Sequence, residues 1–310
     1  MKIALFIESF DHLKKNEFYV NAFCKTISKI YQVDFYELAN VNSKKFDSYD
    51  KLISVIRLKI FAVNSELFSK ILNGKQIHVL DHDPWEQFKD NSPYTGYYQK
   101  IINSGVNAVF NVSSRYWSNI VISKFNMSCI PHVWGPIISD DRKKRSLAVW
   151  ESRSNLLGFS GADYPWRVKN HDILKKMFPE FRWQQKISYE EFEDYMFNLR
   201  IWLQSEKESC FVNNESVVPN SLWPKSLEVL SYGVFMIKDY QEESKFYEIE
   251  KLPTAFLFHE YEEIYDILEN IYSMNNKEKL DRVMTTIEFI SNGNYMQKAV
   301  NNILSYKVEK

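Results

Sequence analysis

The sequence predicts an α/β protein built as two domains, each around a doubly wound parallel sheet. Three observations carry this. Short apolar runs alternate with stretches of helical spacing through both halves of the chain, as they must where strands are joined by crossover helices. The apolar runs are continuous, the pattern of strands covered on both faces. A chain of 310 residues, 45% hydrophobic and 25% charged, is long enough for two ordinary domains that each bury a full core.

Taken in order, Ile3 to Ile7 is a first strand, Phe18 to Tyr31 carries apolar residues at helical spacing, and Val33 to Leu38 is extended, which makes a β-α-β unit. Leu52 to Ile56 gives a third strand, Ser65 to Leu72 a helix, and Gln76 to Leu80 a fourth strand running into Asp81-His82-Asp83-Pro84. Tyr97 to Ile102 reads as a helix, Ala108 to Val112 as a strand, and Ser114 to Phe125 as a helix capped by Ser113. Ser128 to His132 is short and extended before the turn Trp134-Gly135-Pro136. Ile138 to Trp150 includes DDRKKRS and has no apolar periodicity, so a linker is expected there between a first domain of residues 1–137 and a second of 151–290.

In the second half, Asn155 to Phe159 is a strand, Ser160-Gly161-Ala162 a tight turn, and Pro165-Trp166-Arg167 the opening of a helix through Met177. Phe181 to Ile187, a helix to about Asn198, and the runs Ile201 to Leu203 and Cys210 to Val212 follow. Pro219 to Asp239 then reads as loop, helix, glycine stop and buried strand: Ser221 can cap, Pro224 suits the first turn, and Gly233 suits the left-handed residue after the last. Ala255 to Phe258 is a further strand, and helices are expected at Tyr261 to Met274, Lys277 to Phe289 and Asn294 to Tyr306, the last packing through Tyr295, Ala299 and Ile303.

Composition narrows the function. A net charge of −1 gives no electrostatic case for nucleic acid. Cys24, Cys129 and Cys210 are odd in number and lack a metal-ligand pattern, which suits a reducing compartment. The opening run meets Glu8 without a cleavage site and reads as a strand, not a signal peptide, and no run approaches a membrane span, so a cytoplasmic protein is expected. The 16% aromatic content suits surfaces that stack sugars, and equally suits core filling.

On the helical wheel Lys225, Glu228 and Tyr232 share one side of their helix and Leu227 and Leu230 the other. As a solvated pair Lys225 and Glu228 are poorly oriented, because the cation lies nearer the positive helix end. A phosphate at the helix start would explain that order. The stretch KSLEVLSYGVFMI resembles the donor-binding signature of GT-B glycosyltransferases, in particular the family 4-like "group 1" enzymes. The resemblance implies two Rossmann-like domains facing across a cleft, with the 291–310 helix crossing back to the first. It implies that Glu228 takes the ribose of a nucleotide-sugar, UDP- or GDP-linked, and Lys225 its phosphates. A second Glu is usual eight positions earlier; Asn220 stands there, so the contact to the sugar hydroxyls differs or comes from Asn220. GFSGADYPWR is similar to the opening of the same family's C-terminal domain, which makes Gly161 and Arg167 phosphate contacts. NAVFNVSSRYWSNIVISKFNMSCIPHVWG resembles the last β-α-β of its N-terminal domain.

The implied activity is transfer of a sugar to a hydroxyl acceptor, a glycan or lipid-linked molecule, in bacterial surface glycan or glycoconjugate synthesis, with peripheral membrane association at the inner face. His82 and Asp83 are the catalytic candidates. His82 would touch the sugar near the bond being broken, and Asp81 or Asp83 would be the base if transfer inverts. Glu8, Trp85 and Tyr94 are acceptor-side candidates, and no cofactor or metal ion is expected, since phosphate charge is met by basic side chains and helix starts. Two alternatives stay open: a catalytically silent GT-B protein that binds a glycan or partner, favoured by Asn220, and a GT-B enzyme with another acceptor such as modified DNA.

Overall fold

Because its apolar runs are continuous, this chain can satisfy them only in sheets sheltered on both sides. The computed structural model describes residues 1–306 except 17, 43–44, 82–83, 85–94, 164, 186, 208–209, 213–214 and 218–222. The chain falls into two units, one of Met1–Trp134, Val212–Asn214 and Tyr295–Lys310, the other of Gly135–Phe211 and Glu215–Asn294.

The first unit runs β1 (Lys2–Ile7), α1 (Phe10–Asn16), α2 (Phe18–Ile30), β2 (Gln32–Glu37), β3 (Lys51–Ser54), α3 (Leu58–Val63), α4 (Ser65–Leu72), β4 (Ile77–Asp81), α5 (Tyr97–Asn103), β5 (Ala108–Val112), α6 (Arg115–Phe125) and β6 (Cys129–Pro131). Its strands pair in parallel in the order β2-β1-β3-β4-β5-β6. Every residue from Ile3 to Ile7 is buried, as the unbroken run requires. On α2, Val20, Phe23, Cys24 and Ile27 recur at helical spacing and enter one core cluster with Ile3, Leu5 and Ile7. The cap of α6 is Ser114 rather than Ser113: its Oγ accepts from the backbone N–H of Trp117 at 3.2 Å. The short helices α1 and α3 lie in stretches to which the sequence reading assigns no element. They are too short for a periodicity to register.

The second unit opens with a helix where a linker is expected. Asp140–Ala148 (α7) is capped by Ser139, whose Oγ accepts from the N–H of Arg142 at 3.1 Å, with two aspartates in the first turn and Arg145 in the last. That charge order suits the helix dipole. Apolar periodicity is missing because α7 docks through cations. The Arg142 and Arg145 guanidinium carbons lie 4.5 and 4.0 Å from the ring centres of Tyr232 and Phe197, and Arg142 also meets Glu193 at 3.2 Å.

There follow β7 (Asn155–Ser160), α8 (Pro165–Met177), β8 (Arg182–Gln184), α9 (Tyr189–Asn198), β9 (Leu199–Gln204), the strands β10 (Cys210–Val212) and β11 (Glu215–Val217) of a separate ladder, α10 (Trp223–Leu230), β12 (Phe235–Asp239), α11 (Glu243–Phe246), β13 (Ala255–Phe258), α12 (Glu263–Ser273) and α13 (Asn276–Gly293). The main sheet is parallel in the order β13-β12-β9-β7-β8. Gly233 has φ +72°, and a Cβ there would stand 2.7 Å from Val283 Cγ1, so glycine is needed both for the turn and for the approach of α13. Buried Arg153 donates to the carbonyls of Leu199, Tyr232 and Gly233, tying the end of α10 to the start of β9.

The last helix, α14 (Tyr295–Ser305), belongs to the first unit. Met296, Ala299, Val300, Ile303 and Leu304 join the cluster of β1 and α2. Among the described residues, no helix is long and apolar enough to cross a membrane.

Candidate functional site

In both sheets the second strand lies on one side of the first and the third strand on the other. Ligands of such sheets gather beyond the carboxyl ends of the strands where the order reverses. Those edges are β1 and β3 in the first unit and β7 and β9 in the second.

At the first edge Glu8 follows β1 and Arg57 follows β3. Arg57 Nε and Nη2 donate to the two oxygens of Glu8 at 2.8 and 2.7 Å, and its backbone N–H reaches Glu8 Oε1 at 3.1 Å. Burial pushes the Glu8 carboxyl up, but the hydrogen bonds from Arg57 and the charges of His12 and Arg57 outweigh it and hold the group below its ordinary value. The side chain of Arg57 is 55% exposed and that of Glu8 13%, so Arg57, which the sequence did not single out, is the open member. Asp81, at the end of β4, is buried and accepts the Tyr98 hydroxyl at 2.6 Å, a core contact that takes it away from work as a base. His82, Asp83, Trp85 and Tyr94 lie outside the described residues.

The second edge holds a closed cluster. Arg167, in the first turn of α8, donates through Nε and Nη2 to Glu206 Oε1 at 3.1 and 2.9 Å and through Nη1 to Ala162 O at 2.8 Å. The two side chains are 4% and 2% exposed. Gln204 donates to the same Glu206 oxygen at 3.0 Å, and the Glu206 N–H donates to Asp239 Oδ1 at 2.7 Å. Burial raises the Asp239 carboxyl to about 6 and lowers the Lys238 ammonium to about 8. The expected phosphate contacts are therefore engaged inside the unit: Arg167 closes the turn after β7, and the Gly161 N–H donates to Gln184 O at 3.2 Å. Gly161 answers a steric need, since a Cβ would stand 2.8 Å from the Phe159 ring. Glu206, Lys238 and Asp239 escaped the sequence reading; polar residues ending otherwise apolar strands were their signal.

On α10, Lys225 Nζ lies 2.9 Å from Glu228 Oε2 and 3.3 Å from the centre of the Phe192 ring. The sequence places Lys225, Glu228 and Tyr232 on an open side, and the structure corrects this. Glu228 is 3% exposed and Tyr232 is fully buried, because α9 covers that side and the Tyr232 hydroxyl donates to Glu193 at 3.1 Å. Lys225 alone reaches water, its side chain 36% exposed. The second carboxylate oxygen of Glu228 is buried and has no partner among the described residues. Such an orphan is costly unless a ligand supplies the donor. Asn220 lies outside the described residues.

Compared by sequence, the chain matches no family profile and no curated protein. By structure it is similar to HepE of Anabaena, solved with UDP and glucose, with TM-score 0.57 at 10% identity over 98% of both chains. It is also similar to OtsA in its apo form, with TM-score 0.54 at 10% identity over 84% of this chain and 74% of that one. The N-terminal domain of the trehalose-6-phosphate phosphatase of Candida albicans gives 0.52 at 10% identity, over 92% and 76%. At this identity the likeness establishes the fold alone, the GT-B fold with its two parallel-sheet units.

Proposed function

We propose that the protein is a glycosyltransferase that moves a sugar from a nucleotide-sugar, UDP- or GDP-linked, to a hydroxyl acceptor. One observation carries the reading: a carboxylate, Glu228, buried one turn into a helix, with one oxygen held by Lys225 and the other lacking a donor among the described residues. The paired hydroxyls of a ribose are the donors that such an oxygen lacks, and Lys225 has the exposure to meet a diphosphate. The K-x-x-E spacing and the UDP in the HepE structure support the same assignment.

In this reading Arg167 shapes the turn beside the donor through Glu206, and Asn220 takes the sugar hydroxyls. His82 touches the transferred sugar, Asp83 serves as base if transfer inverts, and Glu8, Trp85 and Tyr94 face an acceptor that is a glycan or lipid-linked hydroxyl of bacterial surface glycan synthesis. The chemistry runs without a metal ion, in the cytoplasm or at the inner membrane face. Asn220, where a Glu is usual, favours the second reading, a silent glycan-binding protein; turnover of a UDP- or GDP-sugar separates the two.

Calorimetric titration with UDP and GDP in metal-free buffer tests the first reading, using wild type and Glu228→Gln. A hydrogen bond to a charged group is worth roughly 1.5–3 kcal/mol, so the variant should bind about ten- to a hundredfold more weakly. Equal affinities at unchanged Tm would overturn the role of Glu228.

A further inference from the structure

The amino edge of the second unit's sheet, at the opposite ends of β9 and β12 from the charged cluster, holds a cavity of about 180 Å³. Its floor is apolar: Trp150, Ile201, Phe235 and Ile271 are all buried, with Trp150 and Phe235 ring centres 5.5 Å apart. An apolar chamber of about 150 Å³ is large enough to accept a molecule the size of benzene. Its rim is basic. Arg200 donates through Nε and Nη2 to the backbone carbonyls of Arg153 and Glu151, at 2.9 and 3.1 Å, and Lys279 reaches only the Tyr272 carbonyl, at 3.4 Å. Among the described residues neither cation is ion-paired with a carboxylate. Lys279 also stands at the start of α13, an end that favours negative charge. Glu151, the one acid among the lining residues, is exposed and leaves the cations in excess by one.

We propose that this cavity is a binding site for a small aromatic carboxylate, the ring against Trp150, Phe235 and Ile271 and the carboxylate between Arg200 and Lys279. An apolar chamber of one ring's volume, under two cations that meet no carboxylate among the described residues, matches that class and disfavours sugars, whose hydroxyls would find no acceptors on the floor. The site shares no residue with the Lys225 and Glu228 assignment and stands or falls without it.

Titration of the full chain with benzoate, followed by calorimetry or by amide chemical shifts, tests the site. A ligand of this size binds with a Kd on the order of a millimolar. Benzyl alcohol, the uncharged analogue, should bind at least tenfold more weakly, and Lys279→Gln, on a half-exposed helix position, should weaken benzoate by about tenfold. Ile271→Phe, which fills the chamber, should abolish binding. Should that variant fail to fold, Lys279→Gln and Arg200→Lys carry the test. No binding by wild type, equal binding of benzoate and benzyl alcohol, or benzoate binding unmoved in both rim variants would each overturn the proposal.

Discussion

The two units carry the same chemical device at the same topological place, and they use it in opposite ways. Each edge where strand order reverses bears an arginine bound to a glutamate, but in the first unit the acid follows the first strand and the arginine the third, while in the second unit the order is exchanged. The Glu8–Arg57 pair is open on its arginine side, and the Arg167–Glu206 pair is shut away with Gln204 and Asp239. An arginine that reaches water can turn to an incoming anion at less cost than a buried one, since exposed ion pairs contribute little. A closed pair cannot, because removing either partner leaves a buried charge without compensation. Hence the first edge is adaptable and the second is framework.

The largest effect should come from breaking the closed pair. Glu206→Ala should cost about 3–5 kcal/mol in denaturant unfolding, and a double replacement, Arg167→Met with Glu206→Leu, should recover most of it. A loss below about 1 kcal/mol would erase the contrast between the edges. A smaller effect concerns pH. His171, ringed by Phe159, Phe181 and Trp183 beside Arg167, is pushed down to about 3 by burial and then by the arginine's charge. Its folded value lies below the ordinary one, so the stability it contributes is complete above about pH 6.5 and drains away as pH falls toward 3. Relative to wild type, His171→Phe should therefore gain about 1–3 kcal/mol between pH 7 and pH 4.5, read from unfolding at each pH. A parallel pH dependence in the two proteins would show that His171 takes up its proton without cost. The smallest effect belongs to the open pair: Arg57→Ala should change stability by less than about 1 kcal/mol. A drop of several kcal/mol in urea unfolding would make the first edge framework too.

The strands and long helices were legible because their signals are local. β1 and β12 are single apolar runs, and α2 and α14 repeat their apolar residues at the helical period. The Lys225 and Glu228 couple was legible for the same reason, being one turn apart on α10. What covers that couple was not. A wheel says which residues share a side, not that Phe192 and Glu193 of α9 will close over it. Arg167 opens α8 and Glu206 follows β9, with β8, α9 and β9 between them, so no periodicity links them. Asn220, His82, Asp83, Trp85 and Tyr94 lie outside the described residues, where geometry adds nothing to the sequence. α7 hid because its docking face is arginine on aromatic rings, although its Ser-Asp-Asp opening and basic end spelled a helix in charge.

The placement of α14 sets a schedule for synthesis. Residues 1–134 leave the ribosome first, yet the apolar face of α2 waits for Met296, Ala299, Val300, Ile303 and Leu304, which come after the whole of Gly135–Asn294. At about 5–20 residues per second the wait is on the order of ten to thirty seconds. The unit that begins first is completed last. During that interval the side of α2 that these residues cover stays bare.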